Sequence, residues 1–106
     1  MTVRNSIFAG NTAANEWGLD QSSRDTMVGS NNLQWPAPDG NDPPCTADPL
    51  VADPLLGELS DNGGPTQTIP LQAASPAIGA GQDCLPTDQR GLPREGTCDL
   101  GAFEVQ

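Results

Sequence analysis

Apolar side chains stand in short clusters along this chain, such as Ser6-Ile7-Phe8-Ala9 and Pro54-Leu55-Leu56, and turn-forming residues separate them. The 106 residues include 12 glycines and 11 prolines, more than the ordinary share. Proline removes a backbone donor and breaks helix interiors, and glycine loses more backbone entropy on ordering than any other residue. A long helix is therefore out of reach. Two outcomes remain: disorder, or an all-β fold of short strands and many tight turns. Apolar clusters bounded by turn residues favour the second. The length suggests one domain, large enough to bury ~60–70% of the surface its unfolded chain exposes. Hydrophobic residues are only 35% of the chain, with two tryptophans and two phenylalanines, so the core must be modest.

Residues 2–9 read as a strand, with Val3, Ile7 and Phe8 as β-formers and Gly10-Asn11-Thr12 as the turn that ends it. Residues 12–25 are polar, anchored by Trp17 and Leu19. A second short strand is expected over Thr26-Met27-Val28. Gly29-Ser30-Asn31-Asn32-Leu33 follows, where asparagine suits a turn or a stacked ladder. Ile7 and Val28 lie 21 residues apart, and a spacing of roughly 20–25 residues fits one coil of a solenoid. Each coil would stack its strand on the next in a parallel ladder. Residues 34–49 read as a loop, because Trp35-Pro36-Ala37-Pro38 and Asp42-Pro43-Pro44 disfavour helix and central strand alike. Asp61-Asn62-Gly63-Gly64-Pro65 is a strong turn signal. Thr66 to Leu71 alternates like a short strand, and Ser75 to Gly81 is small and tight, with room for one helical turn near residues 73–79. A last strand is expected from Leu100 to Val105.

Charge narrows the function classes. Fourteen acids face four arginines, with no lysine and no histidine, for a formal net charge of −10. Between Arg24 and Arg90 lie nine acids and no base. Nucleic-acid binding needs clustered cations, and an anionic membrane surface would repel this chain, so neither partner is expected. Solubility is the plain role of the acidity, with a cation-binding surface as the sharper alternative. Met1-Thr2-Val3-Arg4-Asn5-Ser6 lacks the apolar core of a signal peptide, so export would rest on a leader removed or lying upstream. No run approaches the ~20 apolar residues of a membrane span. Cys84 and Cys98 enclose a short, turn-rich segment containing Pro86 and Pro93, and a disulfide between them is the natural reading. It implies an oxidising compartment and contributes about 3 kcal/mol in the chain-entropy account. Cys45 is left over, either as a buried thiol or as a partner for another molecule. The cysteine spacing and the lack of histidine leave no zinc set.

Five ordered blocks carry a family resemblance: Asp53-Pro54-Leu55-Leu56-Gly57, Asp61-Asn62-Gly63-Gly64-Pro65-Thr66, Ser75-Pro76-Ala77-Ile78, Asp88-Gln89-Arg90-Gly91 with Pro93-Arg94, and Cys98-Asp99-Leu100-Gly101-Ala102-Phe103-Glu104. The succession resembles the end region of bacterial surface proteins called choice-of-anchor Q domain proteins. Upstream, Asn5-Ser6-Ile7-Phe8-Ala9-Gly10-Asn11 and Gly29-Ser30-Asn31-Asn32-Leu33 resemble the last β-helix coils that precede it. The resemblance covers nearly the whole chain. It implies an all-β fold: a short right-handed parallel β-helix of two to three coils with an irregular, disulfide-stabilised C-terminal cap, exported and attached to the cell surface. Coils are expected over 1–35, a Pro-rich loop over 36–52 and the cap region over 53–106. Position 79 is glycine where the pattern leads to an acid, and Cys45 has no mapped counterpart. Asp88 and Arg90 stand close in one turn, suited to pinning a loop. Asp99 is expected to pair with Arg94 across the loop closed by Cys84 and Cys98. All four charged residues are expected to stabilise the cap rather than carry chemistry.

Nucleophilic catalysis lacks a general base of the usual kind for any of Ser6, Ser22, Ser23, Ser30, Ser60 or Ser75. Paired-carboxylate chemistry, common among β-helix lyases and hydrolases, needs acids converging on one face. Asp20, Asp25, Asp39, Asp42, Asp48 and Asp53 lie mostly in Pro/Gly loops instead. Calcium at Asp39-Gly40-Asn41-Asp42 or Asp61-Asn62-Gly63 is the lesser alternative, since neither stretch fits the EF-hand spacing and turn formation explains the same residues. No cofactor is expected. Trp17 and Trp35 suit either glycan stacking or the anchoring of poorly apolar loops. The leading reading is an extracellular, non-enzymatic β-helix module with a structural or adhesive role. The alternative is a glycan-binding module or a fragment of a carbohydrate-active β-helix enzyme. The expected partners are a second copy, head to tail in an oligomer or filament through an open strand edge, neighbouring β-helix coils, or glycans.

Overall fold

The computed structural model of the protein describes residues 2–12, 26–38, 43–94 and 96–106. The chain divides into two compact units, Met1–Asp53 and Pro54–Gln106, where the length alone suggests one. None of the described residues is helical.

Among its described residues the first unit holds five short strands: β1 (Thr2–Arg4), β2 (Ile7–Ala9), β3 (Val28–Ser30), β4 (Leu33–Trp35) and β5 (Leu50–Val51). All pairing between them is parallel. β1 pairs with β3, and β4 lies between β2 and β5. Residues 2–9 thus form two strands rather than one. The break falls at Asn5, whose φ of 53° is in the left-handed region that asparagine tolerates better than most side chains. The chain returns in register 26 positions later, with Thr2 opposite Val28 and Ile7 opposite Leu33. The spacing of 21 from Ile7 to Val28 is therefore not the period, because Val28 stands at the level of Thr2. A third pass contributes Thr46, bridged in parallel to Met27, and β5, with Leu50 opposite Leu33. The stretch 36–52, expected to be a loop, carries this pairing at its end.

Each pass turns its corner two positions ahead of the strand that follows. The corner residues are Asn5, Asn31 and Asp48, and all three have positive φ, of 53°, 58° and 49°. Asn31 Nδ2 donates to Asn5 Oδ1 at 2.7 Å, one step of an asparagine ladder. Beside it, the buried Asn32 ties three passes together. Its Oδ1 accepts from Ser6 N–H (2.9 Å), and its Nδ2 donates to Val3 O (3.0 Å) and Thr46 Oγ1 (3.1 Å). Gln34 Oε1 accepts from Cys45 N–H at 2.8 Å. Among the described residues its Nε2 is buried without a partner, a desolvation cost of about 1–3 kcal/mol. Leu33, Gln34, Asn32, Thr46 and Cys45 are all essentially sealed from solvent, so this core is as polar as it is apolar. β1 and β3 pair where residue 29 is glycine, and a Cβ there would collide with Val3 O.

The second unit contains no extended strand among its described residues, only the antiparallel bridges Leu56↔Leu71, Ser60↔Thr68 and Thr87↔Pro93. The strand expected from Leu100 to Val105 does not form. Val105 N–H donates to the Asp99 carboxylate and Glu104 N–H to that of Asp88, so side chains take the donors that a ladder would use. Residues 73–79 make tight turns, with Ala77 N–H donating to Ser75 Oγ at 3.1 Å. Leu71, Ala77, Cys98 and Leu100 form the apolar core.

Replacing Asn32 with alanine strands Ser6 N–H and Val3 O without their side-chain partner. The expected loss is about 1–3 kcal/mol in the first unit. Both tryptophans, Trp17 and Trp35, belong to that unit's sequence, so urea denaturation followed by tryptophan fluorescence reads it directly. An unchanged midpoint would show that Asn32 does not tie the passes.

Candidate functional site

The second unit holds a buried charged cluster around the turn at residues 88–91. Gly91 N–H donates to Asp88 O, and Asp88 N–H to Leu92 O. Asp88 Oδ1 accepts from the backbone N–H groups of Arg90 (2.8 Å) and Leu92 (3.2 Å), which closes the turn on its own side chain. Asp88 Oδ2 accepts from Glu104 N–H (3.1 Å) and from Arg90 Nε (2.9 Å), with Arg90 Nη2 at 2.8 Å completing a two-pronged ion pair. Both side chains are buried, at 7% and 0% exposure. The remaining Arg90 donors reach Asn62 O through Nη1 (3.3 Å) and Glu104 O through Nη2 (2.6 Å). The Arg90 guanidinium carbon lies 3.9 Å from the centre of the Phe103 ring, a cation–π contact.

Arg94 is held in a second arrangement. Its Nη1 pairs with Glu104 Oε2 at 2.7 Å, and the same carboxylate oxygen accepts from Asp99 N–H at 2.9 Å. Arg94 also donates to the carbonyls of Asp99 (3.2 Å) and Gly101 (2.9 Å). The expected partnership of Arg94 with the Asp99 carboxylate is therefore not the one formed. The two Asp99 oxygens accept from Gly79 N–H and Val105 N–H, each at 2.7 Å, so Asp99 acts as a brace between two backbone segments. The glycine at position 79, where the family pattern leads to an acid, supplies one of those donors. Glu104 is the residue that sequence reasoning missed. Its signal was a lone acid inside the apolar block Gly101-Ala102-Phe103-Glu104, which a strand reading sends to solvent. In the structure Glu104 is 3% exposed.

Cys84 and Cys98 are disulfide-bonded across 14 positions, with their Cα atoms 6.4 Å apart. The loop they close carries Asp88, Arg90 and Arg94. Gly81 N–H donates to Cys98 O and Leu100 N–H to Ala77 O, so the bridge sits where 98–100 meets 77–81. Cys45 is a buried free thiol, and burial pushes its ionisation upward despite hydrogen bonds with Thr46. A raised, enclosed thiol is a poor nucleophile and a poor metal ligand.

Two of the other candidate acids fall among the described residues. Asp48 and Asp53 are exposed and stand apart from the cluster in sequence and in unit. Asp20, Asp25, Asp39, Asp42 and Trp17 lie outside the described residues. Trp35 is partly exposed at the end of β4. Asp61 Oδ1 accepts from Gly63 N–H at 3.0 Å, and Asn62 is bound to Thr68, so this stretch serves its turn. Among the described residues, no group of three or more His, Cys, Asp or Glu side chains is placed to hold a metal ion. The acids of the cluster are engaged by guanidinium groups and backbone donors. What the arrangement does chemically is hold irregular backbone in place.

No protein-family model, curated protein or solved structure matches this chain.

Burial raises the Asp88 pKa, but donors from Glu104, Arg90 and Leu92 outweigh it and hold the carboxyl below its ordinary value near 3.8. As pH falls, the unfolded chain takes up this proton before the folded one does. The stabilisation is complete above the ordinary carboxylate range and is lost as pH drops through that range toward the lowered value. Asp88→Asn removes this contribution and leaves Arg90 as an unpaired buried cation, at a cost of about 3–5 kcal/mol. Amide protection across residues 86–104, corrected for the intrinsic exchange rate at each pH, should fall on acidification in the wild type. In the variant it should start low and depend less on pH; equal protection in the two proteins would remove Asp88 as the anchor.

Cleaving the disulfide tests the same region from its covalent side. Cys84→Ser with Cys98→Ser is expected to destabilise the second unit by about 3 kcal/mol. The variant should keep a Cys45 that reacts with a thiol reagent only after denaturation. Fast reaction in the native state would contradict its burial.

Proposed function

We propose that this chain is a structural or adhesive module of an exported bacterial surface protein, without catalytic activity. It is formed by the last coils of a right-handed parallel β-helix, followed in sequence by an irregular unit closed by a disulfide. The observation that carries this reading is the in-register return of the chain. Ile7, Leu33 and Leu50 stack as one parallel row, and each is preceded by the same left-handed corner, at Asn5, Asn31 and Asp48. Equivalent residues at equivalent places on successive levels are the means by which a solenoid is built. The blocks that resemble choice-of-anchor Q domain proteins support the same assignment. A disulfide suits an oxidising compartment, and no helix among the described residues is long and apolar enough to cross a membrane.

The partner is a further β-helix level, supplied by neighbouring coils of the same protein or by a second copy. Among the described residues, β1 and β2 each pair on one side only, and an open parallel edge is a template for strand addition. Size-exclusion chromatography with light scattering, without reductant, tests this. The expected result is a species heavier than the 11.0 kDa chain, with a mass that grows with concentration. A monodisperse 11.0 kDa species at every concentration would overturn the assembly role.

A further inference from the structure

Asn62 is followed by Gly63, the pairing in which an asparagine side chain is most open to attack by the next backbone nitrogen. In that reaction the Gly63 nitrogen bonds to Asn62 Cγ. The Cγ–Nδ2 bond breaks, and Nδ2 leaves as ammonia, carrying the proton lost from Gly63. Water then opens the resulting succinimide at one of its two carbonyls, leaving aspartate or isoaspartate at position 62. Water is the sole co-reactant.

The native turn occupies both reacting groups. Asn62 Nδ2 donates to Thr68 O (3.0 Å), Thr68 Oγ1 (3.1 Å) and Ser60 O (3.3 Å). Gly63 N–H is engaged by Asp61 Oδ1 at 3.0 Å. The turn is in turn fastened to the buried cluster, because Arg90 Nη1 donates to Asn62 O. Gly64, at φ 81°, lies so close to Arg90 that a Cβ there would meet its Cα at 2.6 Å. Conversion would not leave this turn intact. A carboxylate at position 62 has no N–H to offer and would face the carbonyl oxygens of Thr68 and Ser60. Isoaspartate would also lengthen the backbone by one methylene group.

We propose that Asn62-Gly63 is a fold-gated deamidation site: the closed turn withholds it, and conversion after the turn opens prevents the turn from closing again on Arg90. Opening of the second unit is thereby recorded as a permanent covalent change.

The full chain is incubated in mildly alkaline buffer, native and in concentrated urea, and conversion at position 62 is followed by peptide mapping and an isoaspartate assay. Conversion is expected in urea and at least about tenfold slower in the native protein, a factor equal to ~1.4 kcal/mol of local opening free energy. Thr68→Val, which removes one acceptor of Nδ2, should speed conversion in the native protein and leave the rate in urea unchanged. Equal native and urea rates would overturn the gating, and no conversion in urea would overturn the site itself. Asn62→Asp supplies the product directly. It is expected to raise amide exchange across residues 60–68, and unchanged exchange would overturn the claim that conversion unlatches the turn.

Discussion

Buried backbone donors and acceptors without a strand partner must be satisfied by turns, side chains or water, and both units meet much of that need with side chains. A chain so rich in glycine and proline cannot run long ladders. Its strands are two or three residues each. Between them, buried amides and carboxylates reach the groups that regular structure would otherwise have paired. In the first unit Asn32 and Gln34 do this. In the second, Asn62, Ser75, Asp88, Asp99 and Glu104 do. The buried polar residues are therefore parts of the backbone's own bonding, placed in side chains.

This choice sets the character of each core. Apolar burial is small, because few large hydrophobic side chains exist to be buried, and several of them, including Leu59 and Leu85, are exposed. Specificity comes instead from hydrogen-bonded positions that admit one arrangement. A buried ion pair adds little net stability against an apolar replacement, yet removing one partner is costly, because the other is left charged and dry. The second unit exploits that asymmetry. Arg90 and Arg94 are each held by carboxylate and carbonyl oxygens from separate turns, so displacing one turn disturbs the others. Such an interior holds irregular backbone in place, and its acids already have partners.

The parts that were legible in the sequence are those governed by local chemistry. The turn at 61–65 follows from its glycines and asparagine, and the all-β class follows from short apolar clusters. The Cys84–Cys98 bridge follows from a short, turn-rich separation. Less legible were features set by distant partners. The 26-position return from Ile7 to Leu33 was hidden because Val28 and Leu33 are both apolar, and pairing alone decides which of them stacks on Ile7. β5 was hidden by the prolines that precede it. The segment Leu100 to Val105 has the composition of a strand but finds carboxylates instead of a ladder. Glu104 looked like a solvent-facing acid because its partner, Arg94, is ten positions away.

The sequence by itself determined the vocabulary: short strands, left-handed corners where asparagine or aspartate is tolerated, a covalent staple, and too few apolar residues for an oily core. Those properties depend on φ preferences, missing donors and side-chain volume, which each residue carries wherever it stands. Only the tertiary structure decided which levels stack in register, that Asn32 joins three passes, and that Arg94 takes Glu104 while Asp99 braces the backbone. The reason is that a buried polar group must find hydrogen-bond partners or bear the desolvation cost, as Gln34 Nε2 does. Its partner is thus chosen by geometry across the fold, not by nearness along the chain.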